Sequence, residues 1–416
     1  MKTLLNISLI FLLQTSLLSQ KWDHTYGTLN NTETCWDISE TYDHGYLISG
    51  SYKIPTSSNW LIKTDINGNI LWDKLILHDV HKVFSGELDQ NNSGEIAIGR
   101  CITYDNGDQW PVLIKLDSCG NKLWCREYID EDYSHGWFED VILFDNGDVV
   151  ALAYLSHQYN YPDNIFLYYI DSNGNLLWRK SYASKDEYPD ILLPHGKKLY
   201  KISSGYMIAG DSYYPSPVGY LRPLFIRLED DFKETWILPF GVSSSLIAYG
   251  MNVIPMNDST YMGIGSTGYE TRLMFFNDEG VELGYKDISN ESIGPDFELN
   301  VTANIVKLND SLYITSTVFA NENSGNSLGE MIIDTAANIY KIVQHPNTSG
   351  SKAIIKTFDD KYIIGCSYKQ PNNIRDIYLY KINDSLQMDT VYPGIYTYDS
   401  LCPYQKDSCI LPNRHI

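Results

Sequence analysis

The chain alternates short apolar runs with turn-forming residues, and one such unit recurs with its pattern intact. Residues 59–74 read NWLIKTDINGNILWDK: an apolar strand, an Asn-Gly turn and a second strand carrying Trp72. The same order returns at 115–126 (KLDSCGNKLWCR), 169–180 (YIDSNGNLLWRK) and 227–237 (RLEDDFKETWI). Asp65, Asp117, Asp171 and Glu229 each stand seven positions ahead of Trp72, Trp124, Trp178 and Trp236. A second apolar motif precedes each copy: GYLISGS at 45–51, GEIAIGR at 94–100, GDVVALA at 147–153 and GYMIAGD at 205–211. Weaker copies follow at 261–266, 312–317 and 361–367 for this motif, and at 277–284, 334–341 and 383–390 for the other. Turn signals such as His44-Gly45 and Asn146-Gly147 come before, and ahead of those an apolar strand such as 141–144 or 353–357.

The unit is therefore strand, tight turn, strand, long loop, strand, tight turn, strand, repeating every ~53 residues between Asp65 and Asn383. Four strands at such a period mark a β-propeller blade. A helical solenoid would need a sustained 3.6-residue apolar periodicity, which is missing. The expected fold is all-β: a single-domain, seven-bladed β-propeller of four-stranded antiparallel blades over residues 20–395. Asn67-Gly68 and Asn173-Gly174 read as two-residue hairpin turns, and the tryptophans as covers over the seams between blades. Two segments compete to close the ring: residues 21–27 (KWDHTYG), which resemble WRKSYA at 178–183, and residues 388–392.

Outside the repeats, residues 1–19 have the early lysine, short apolar run and small terminal residue of a signal peptide, and residues 396–416 read as a tail. The mature chain is thus expected outside the cytoplasm, without a membrane span. A net charge of -21 with no basic cluster argues against nucleic acid and against anionic membrane surfaces. Seven cysteines cannot all pair within one chain. Cys402 and Cys409 could close a small loop, a ring would make Cys35 and Cys366 neighbours, and Cys119 and Cys125 lie too far apart along their hairpin. No cysteine or histidine spacing suits zinc, and DINGN places its glycine fourth rather than sixth as a calcium loop requires. Neither a metal nor a cofactor is expected.

The alternating GYLISGS and DxxGNxxW motifs over residues 21–392 resemble the secreted bacterial β-propellers carried as cargo by the type IX secretion system. That resemblance implies the propeller fold and export, and it usually comes with a C-terminal sorting domain for which residues 393–416 leave no room. Quinoprotein and Asp-box propellers, which also set tryptophan after an Asp/Gly turn, use other Asp-to-Gly spacings. The triplets Asp310-Ser311-Leu312, Asp384-Ser385-Leu386 and Asp399-Ser400-Leu401 resemble O-glycan acceptor sites of exported proteins in the same bacteria.

In such a ring the tight turns share one face and the longer loops the other. Those longer loops are unequal and rich in Tyr, Trp, His and Asp, and function resides on loops of this kind. Aromatic faces stack on sugar rings while nearby carboxylates bond their rims. The binding candidates are Tyr104, Asp105, Asp108, Trp110, Asp132, His135, His157, Tyr159, Tyr161 and Tyr214. The leading expectation is a monomeric, non-catalytic binding or adhesion module for a glycan or an extracellular protein. The alternative is a polysaccharide hydrolase or lyase at the channel mouth. It would draw acid and base from Asp105, Asp108, Asp130, Glu131, Asp132, His81, His135 and His157, and anion-holding cations from Arg100, Arg272 and Arg375.

Overall fold

The computed structural model describes residues 21–52, 58–76, 82–83, 86–104, 106–157, 162–184, 186–213, 221–241, 249–266, 270–288, 298–320, 327–394, 398 and 413–415. The candidate signal peptide and most of the tail fall outside them.

The acidic residue of the repeat closes its own turn. Asp65 Oδ1 accepts the amides of Asn67 and Asn69 at 2.8 and 2.9 Å, while Asn69 Nδ2 donates to Oδ2 at 2.9 Å. Asp117, Asp171 and Asp334 do the same, and Asn277 and Asn383 keep the backbone half of the pattern. Gly68 has φ of 79° but Asn67 does not enter positive φ, and the pairing of the flanking strands shifts register at this point. The connection is a turn with a glycine bulge. It replaces the expected two-residue hairpin, which would need positive φ at both central residues.

These turns join strands into antiparallel sheets. In chain order the strands are β1 (Asp23–Tyr26), β2 (Glu33–Glu40), β3 (Tyr46–Tyr52), β4 (Ser58–Thr64), β5 (Ile70–Ile76), β6 (Lys82–Val83), β7 (Glu87–Gln90), β8 (Ile96–Thr103), β9 (Gln109–Leu116), β10 (Lys122–Tyr128), β11 (His135–Leu143), β12 (Val149–Ser156), β13 (Pro162–Ile170), β14 (Leu176–Tyr182) and β15 (Leu192–Lys201). They continue with β16 (Tyr206–Tyr213), β17 (Leu221–Leu228), β18 (Glu234–Pro239), β19 (Tyr249–Asn257), β20 (Thr260–Ser266), β21 (Thr271–Asn277), β22 (Glu282–Ile288), β23 (Glu298–Lys307), β24 (Leu312–Ala320), β25 (Ser327–Asp334), β26 (Ile339–His345), β27 (Thr348–Lys356), β28 (Tyr362–Lys369), β29 (Arg375–Ile382) and β30 (Asn413–His415).

Five four-stranded blades stand as separate sheets: β2–β5, β15–β18, β19–β22, β23–β26, and β1 with β29, β28 and β27. Seven separate blades were expected, and the structure corrects that count. The strands β6–β14, with β30, form one ten-stranded sheet. Its two meanders join through a single parallel pair, His135 with Gln109, where the Gln109 amide also donates to the Ser134 carbonyl at 3.3 Å. The first long strand of each meander, β2, β7, β11, β15, β19, β23 and β27, contacts the next, and β27 returns to β2, so the propeller encloses a central channel. The apolar core lies between sheets: Leu152, Ile165 and Leu167 pack against Ile208, Leu224 and Ile226 across one seam.

The ring closes with the N-terminal segment. Asp23 to Tyr26 pair antiparallel with Tyr380 to Ile377, whereas residues 388–390 reach only isolated bridges, Met388 to Ile382 and Thr390 to Lys21. Trp22 gives β1 the advantage, since its indole is fully buried and donates to the Ile66 carbonyl at 2.8 Å.

Trp22 belongs to a series. Trp124 Nε1 donates to Ser172 O at 2.8 Å and Trp236 Nε1 to Asp278 O at 2.7 Å, each carbonyl lying in the Asp/Asn turn of the next repeat. Four residues on, Tyr26, Tyr128 and Tyr182 donate their hydroxyls to the carbonyls of Gly68, Gly174 and Phe232 in the same turns, at 2.7, 3.0 and 2.7 Å. The turn glycines lie flat under these rings: a Cβ on Gly120 would fall 2.7 Å from Trp72 Cη2. Below them, three repeats carry a buried lysine in this hairpin, Lys63, Lys115 and Lys381. Lys115 Nζ meets Glu95 at 2.9 Å and the Gly147 carbonyl at 2.8 Å, and Lys381 Nζ meets Asp359 at 2.7 Å and the Tyr46 hydroxyl at 3.1 Å. Among the cysteines, Cys119 is disulfide-bonded, while Cys101 and Cys366 are buried thiols. The loop expected between Cys402 and Cys409 lies outside the described residues.

Trp124→Phe keeps most of the ring contact and loses only the indole bond, so it should cost about 1 kcal/mol. Trp124→Ala, which also opens the seam, should cost about 3 kcal/mol. Urea unfolding of both variants checks the order; equal losses would show that the hydrogen bond alone, and not the ring packing, holds the seam.

Candidate functional site

Irregularities in the first strands turn polar side chains toward the channel. The register of β11 against β12 shifts between Phe138 and Asp140, that of β15 against β16 between Gly196 and Lys198, and that of β2 against β3 between Cys35 and Asp37. Such bulges re-aim side chains that a regular strand would alternate between faces.

One group formed this way holds adjacent repeats together around the channel. Asp37 Oδ2 accepts the Leu88 amide at 3.0 Å, Asp89 Oδ2 the Leu143 amide at 2.8 Å, and Asp140 Oδ2 the Leu199 amide at 2.7 Å. Each carboxylate also bonds the amide of the residue that follows it. Further round, the Tyr200 hydroxyl donates to Asn252 Oδ1, and Asn252 Nδ2 donates to Asn304 Oδ1 at 3.2 Å. Lys198 sits among the acids, ion-paired with Glu87 and 3.8 Å from Asp140. Burial pushes the Asp140 carboxyl up to about 7 despite the opposing charge of Lys198. Burial and the charge of Glu87 raise Asp37 well above the carboxylate range. Burial opposes the charge on Lys198, but Asp140, Glu87 and Asp37 outweigh it and hold its pKa well above the ordinary value.

The second group lies nearer the long loops. Glu139 of β11 receives His195 Nε2 and Trp137 Nε1 on Oε1, both at 2.6 Å, and Arg100 NH1 lies 3.6 Å from Oε2. Burial would raise Glu139, yet the bonds and positive charge from His195 and the charge of Arg100 hold it at about 2. An ionised carboxylate only accepts, so Nε2 of His195 carries a proton, and the neutral form of the ring presents its lone pair at Nδ1. Trp137 stacks on Tyr154 with ring centres 4.0 Å apart, the His195 ring stands 4.9 Å from Tyr154, and the Arg100 guanidinium lies over Trp36 at 5.7 Å. Lys197 pairs with buried Asp211 at 3.1 Å. Three sheets thus meet at one mouth, through β2, through β8 with β11–β12, and through β15–β16.

The described binding candidates from sequence make their contacts outside this group. His135 is buried, with Nδ1 2.8 Å from Ser134 Oγ, and the exposed His157 stacks on Tyr133 at 4.6 Å and accepts Ser134 Oγ through its carbonyl. These four form a rim cluster at the start of β11. The Tyr104 hydroxyl donates to buried Glu127 at 2.6 Å, turning that side chain into the seam. Trp110 is half-buried opposite Ile102, Asp108 bonds Asn106 in its own turn at 2.7 Å, and Asp132 is exposed. Asp105, Tyr159, Tyr161 and Tyr214 lie outside the described residues, as does His81. Of the alternative set, Asp130 pairs with Arg179, Arg272 is held by Asp287 at 2.6 and 2.7 Å, and Arg375 is exposed. Among the described residues of that set, Arg100 alone joins the mouth. Trp36, Trp137, Glu139, Tyr154, His195 and Lys197 went unnoticed, although Trp137 and Glu139 two apart in a strand share a face.

No protein-family model matches the chain, and no curated protein matches it. Solved structures do share the fold. A polysaccharide lyase of family PL25, an ulvan lyase, aligns over 87% of this chain and 96% of its own with a TM-score of 0.56 and 10% identity. A protein of unknown function from Dyadobacter fermentans aligns over 74% and 96%, with a TM-score of 0.51 and 10% identity. At this identity the likeness is one of fold. Among the described residues no helix is long and apolar enough to cross a membrane.

The channel acids titrate against one another. Asp140, raised from 3.8 to about 7, contributes stability in full below the ordinary carboxylate range, and that contribution is lost as pH rises through about 7. Glu139, lowered from 4.5 to about 2, contributes in full above 4.5 and loses it as pH falls through about 2. Carboxyl carbon NMR should therefore show Asp140 titrating near neutrality, and Lys198→Met should move its midpoint higher still. An unmoved midpoint would separate Lys198 from Asp140 electrostatically.

Proposed function

We propose that the protein is exported and binds an acidic polysaccharide at the loop-bearing mouth of its central channel. The observation that carries this reading is the stacked Trp137–Tyr154 pair beside Arg100, His195 and Lys197. Aromatic faces take the apolar sides of sugar rings, and guanidinium and ammonium groups take carboxylate or sulfate substituents. Arg100, whose Nε has no hydrogen-bond partner among the described residues and whose NH1 stops 3.6 Å short of Glu139, keeps donors for an anionic substituent. The rim residues His135, His157, Trp110 and Asp132 stand where a longer chain would continue outward. The fold admits such a ligand, since the ulvan lyase structure was solved bound to -[GlcA(1-4)Rha3S]-. We also read the ten-stranded sheet as two repeats fused at the His135–Gln109 pair, which makes the ring sevenfold in sequence although five blades stand free.

Titration calorimetry with polygalacturonate, alginate, ulvan and a neutral β-glucan tests the proposal. One or more of the acidic polymers should bind, more weakly as salt rises, and Arg100→Ala should reduce that affinity at least ~10-fold. Equal affinity for the neutral glucan would overturn it.

A further inference from the structure

Binding alone leaves the Glu139–His195 pair unexplained. A site meant only to hold a sugar acid would point its imidazole at the ligand as a donor, but here the Nε2 proton is committed to Glu139 at 2.6 Å. Trp137 fixes the same carboxylate oxygen from the other side at 2.6 Å, so the carboxylate and hence the ring plane are locked. Nδ1 has no hydrogen-bond partner among the described residues, and the His195 side chain is one-fifth exposed. A carboxylate holding one imidazole nitrogen so that the other carries a lone pair is the arrangement of a general base. Arg100 supplies the complementary part: its Nε is buried without a hydrogen-bond partner, and its NH1 lies 3.6 Å from Glu139, too far for a strong bond.

We propose that His195 is a catalytic base that cleaves the bound polysaccharide by β-elimination at a uronate residue, with Glu139 as its positioning residue and Arg100 as the group that neutralises the uronate carboxylate. This rests on the acidic-polysaccharide reading of the same site. Nδ1 removes the proton from C5, the carbon bearing the carboxylate. The C–H electron pair becomes the C4=C5 double bond as the C4–O4 bond breaks, and the departing oxygen takes the proton back from the imidazolium. One chain becomes two, an unsaturated uronate end and a free hydroxyl end, with no water, oxidant or other reactant consumed. Charge growing on the uronate carboxylate during proton removal is met by Arg100, and Lys197 lies on the strand that carries His195. Hydrolysis fits less well, because it needs a protonated carboxyl group facing a second carboxylate. Glu139 is instead ionised, with Oε1 taken by His195 and Trp137, and Asp211 is paired with Lys197.

The full chain is incubated with each polyuronate that binds, and the ultraviolet absorbance of the new conjugated double bond is followed alongside calorimetric affinity. Absorbance should rise at a rate that climbs with pH, as a general base requires. His195→Ala should abolish it even at polymer concentrations that saturate the variant, and Glu139→Gln should slow it by ~10²-fold or more and displace the pH profile. A polymer that binds without gaining a double bond would overturn the elimination and leave the binding role intact. A double bond that forms equally fast in His195→Ala would overturn the assignment of the base. No binding by any polymer would sink both.

Discussion

Everything in this structure depends on how one repeat grips the next, because no blade alone has enough apolar surface to stand. The grip has a specific chemistry. An indole N–H and, four residues later, a tyrosine hydroxyl reach across the seam to two carbonyls of the neighbouring turn. Two amides of that turn, those of Asn173 and Asn175, are already taken by Asp171, which leaves its carbonyls facing the seam. The turn is therefore a socket built before its occupant arrives, and glycine at its third step keeps the floor flat enough for a ring to lie on. Where tryptophan is lost, at position 341, Lys341 reaches the Ser385 carbonyl at 2.6 Å instead. A long cation thus replaces an aromatic while the socket is unchanged.

At the inner edge of the first three repeats, the channel wall is held by carboxylates, and further round by Tyr200, Asn252 and Asn304. Asp37, Asp89 and Asp140 each bond an amide of the adjoining first strand, so the wall is stitched by charge-assisted bonds in a low-dielectric setting. That choice leaves several acids close together, and Lys198 among them offsets part of their repulsion. The same bulges that aim these acids inward set Glu139 one residue away, facing the mouth. Scaffold and site are thus made from adjacent residues of the same strands, which gives the Glu139–His195–Trp137 group the rigidity a loop would not.

The repeat was legible because it is local. A strand's alternation, an Asp/Gly turn and a tryptophan at fixed spacing are visible within a dozen residues, and they led to the fold and to the rival candidates for ring closure. What joins distant residues was not legible. Arg100, Glu139 and His195 come from three repeats and share no motif, and His195 looks in sequence like an ordinary strand residue beside two lysines. The loop aromatics drew attention by composition, yet Tyr104 turned inward because the buried Glu127 needs a donor. The merging of β6–β14 into one sheet was equally hidden, since it hangs on a single pair between Gln109 and His135.

The clasp between β1 and β29 has a kinetic meaning. The Tyr378 hydroxyl and Asp23 carboxylate meet across 355 positions of sequence, so the first strand to be synthesised can find its partner only after the last repeat exists. Loop-closure entropy grows only logarithmically with that separation, so the finished ring loses little by being joined there, but the search is long. Until it ends, Trp22 and the open edge of β29 are exposed together, and this interval, rather than the folded ring, is when the chain is most open to pairing with another copy of itself.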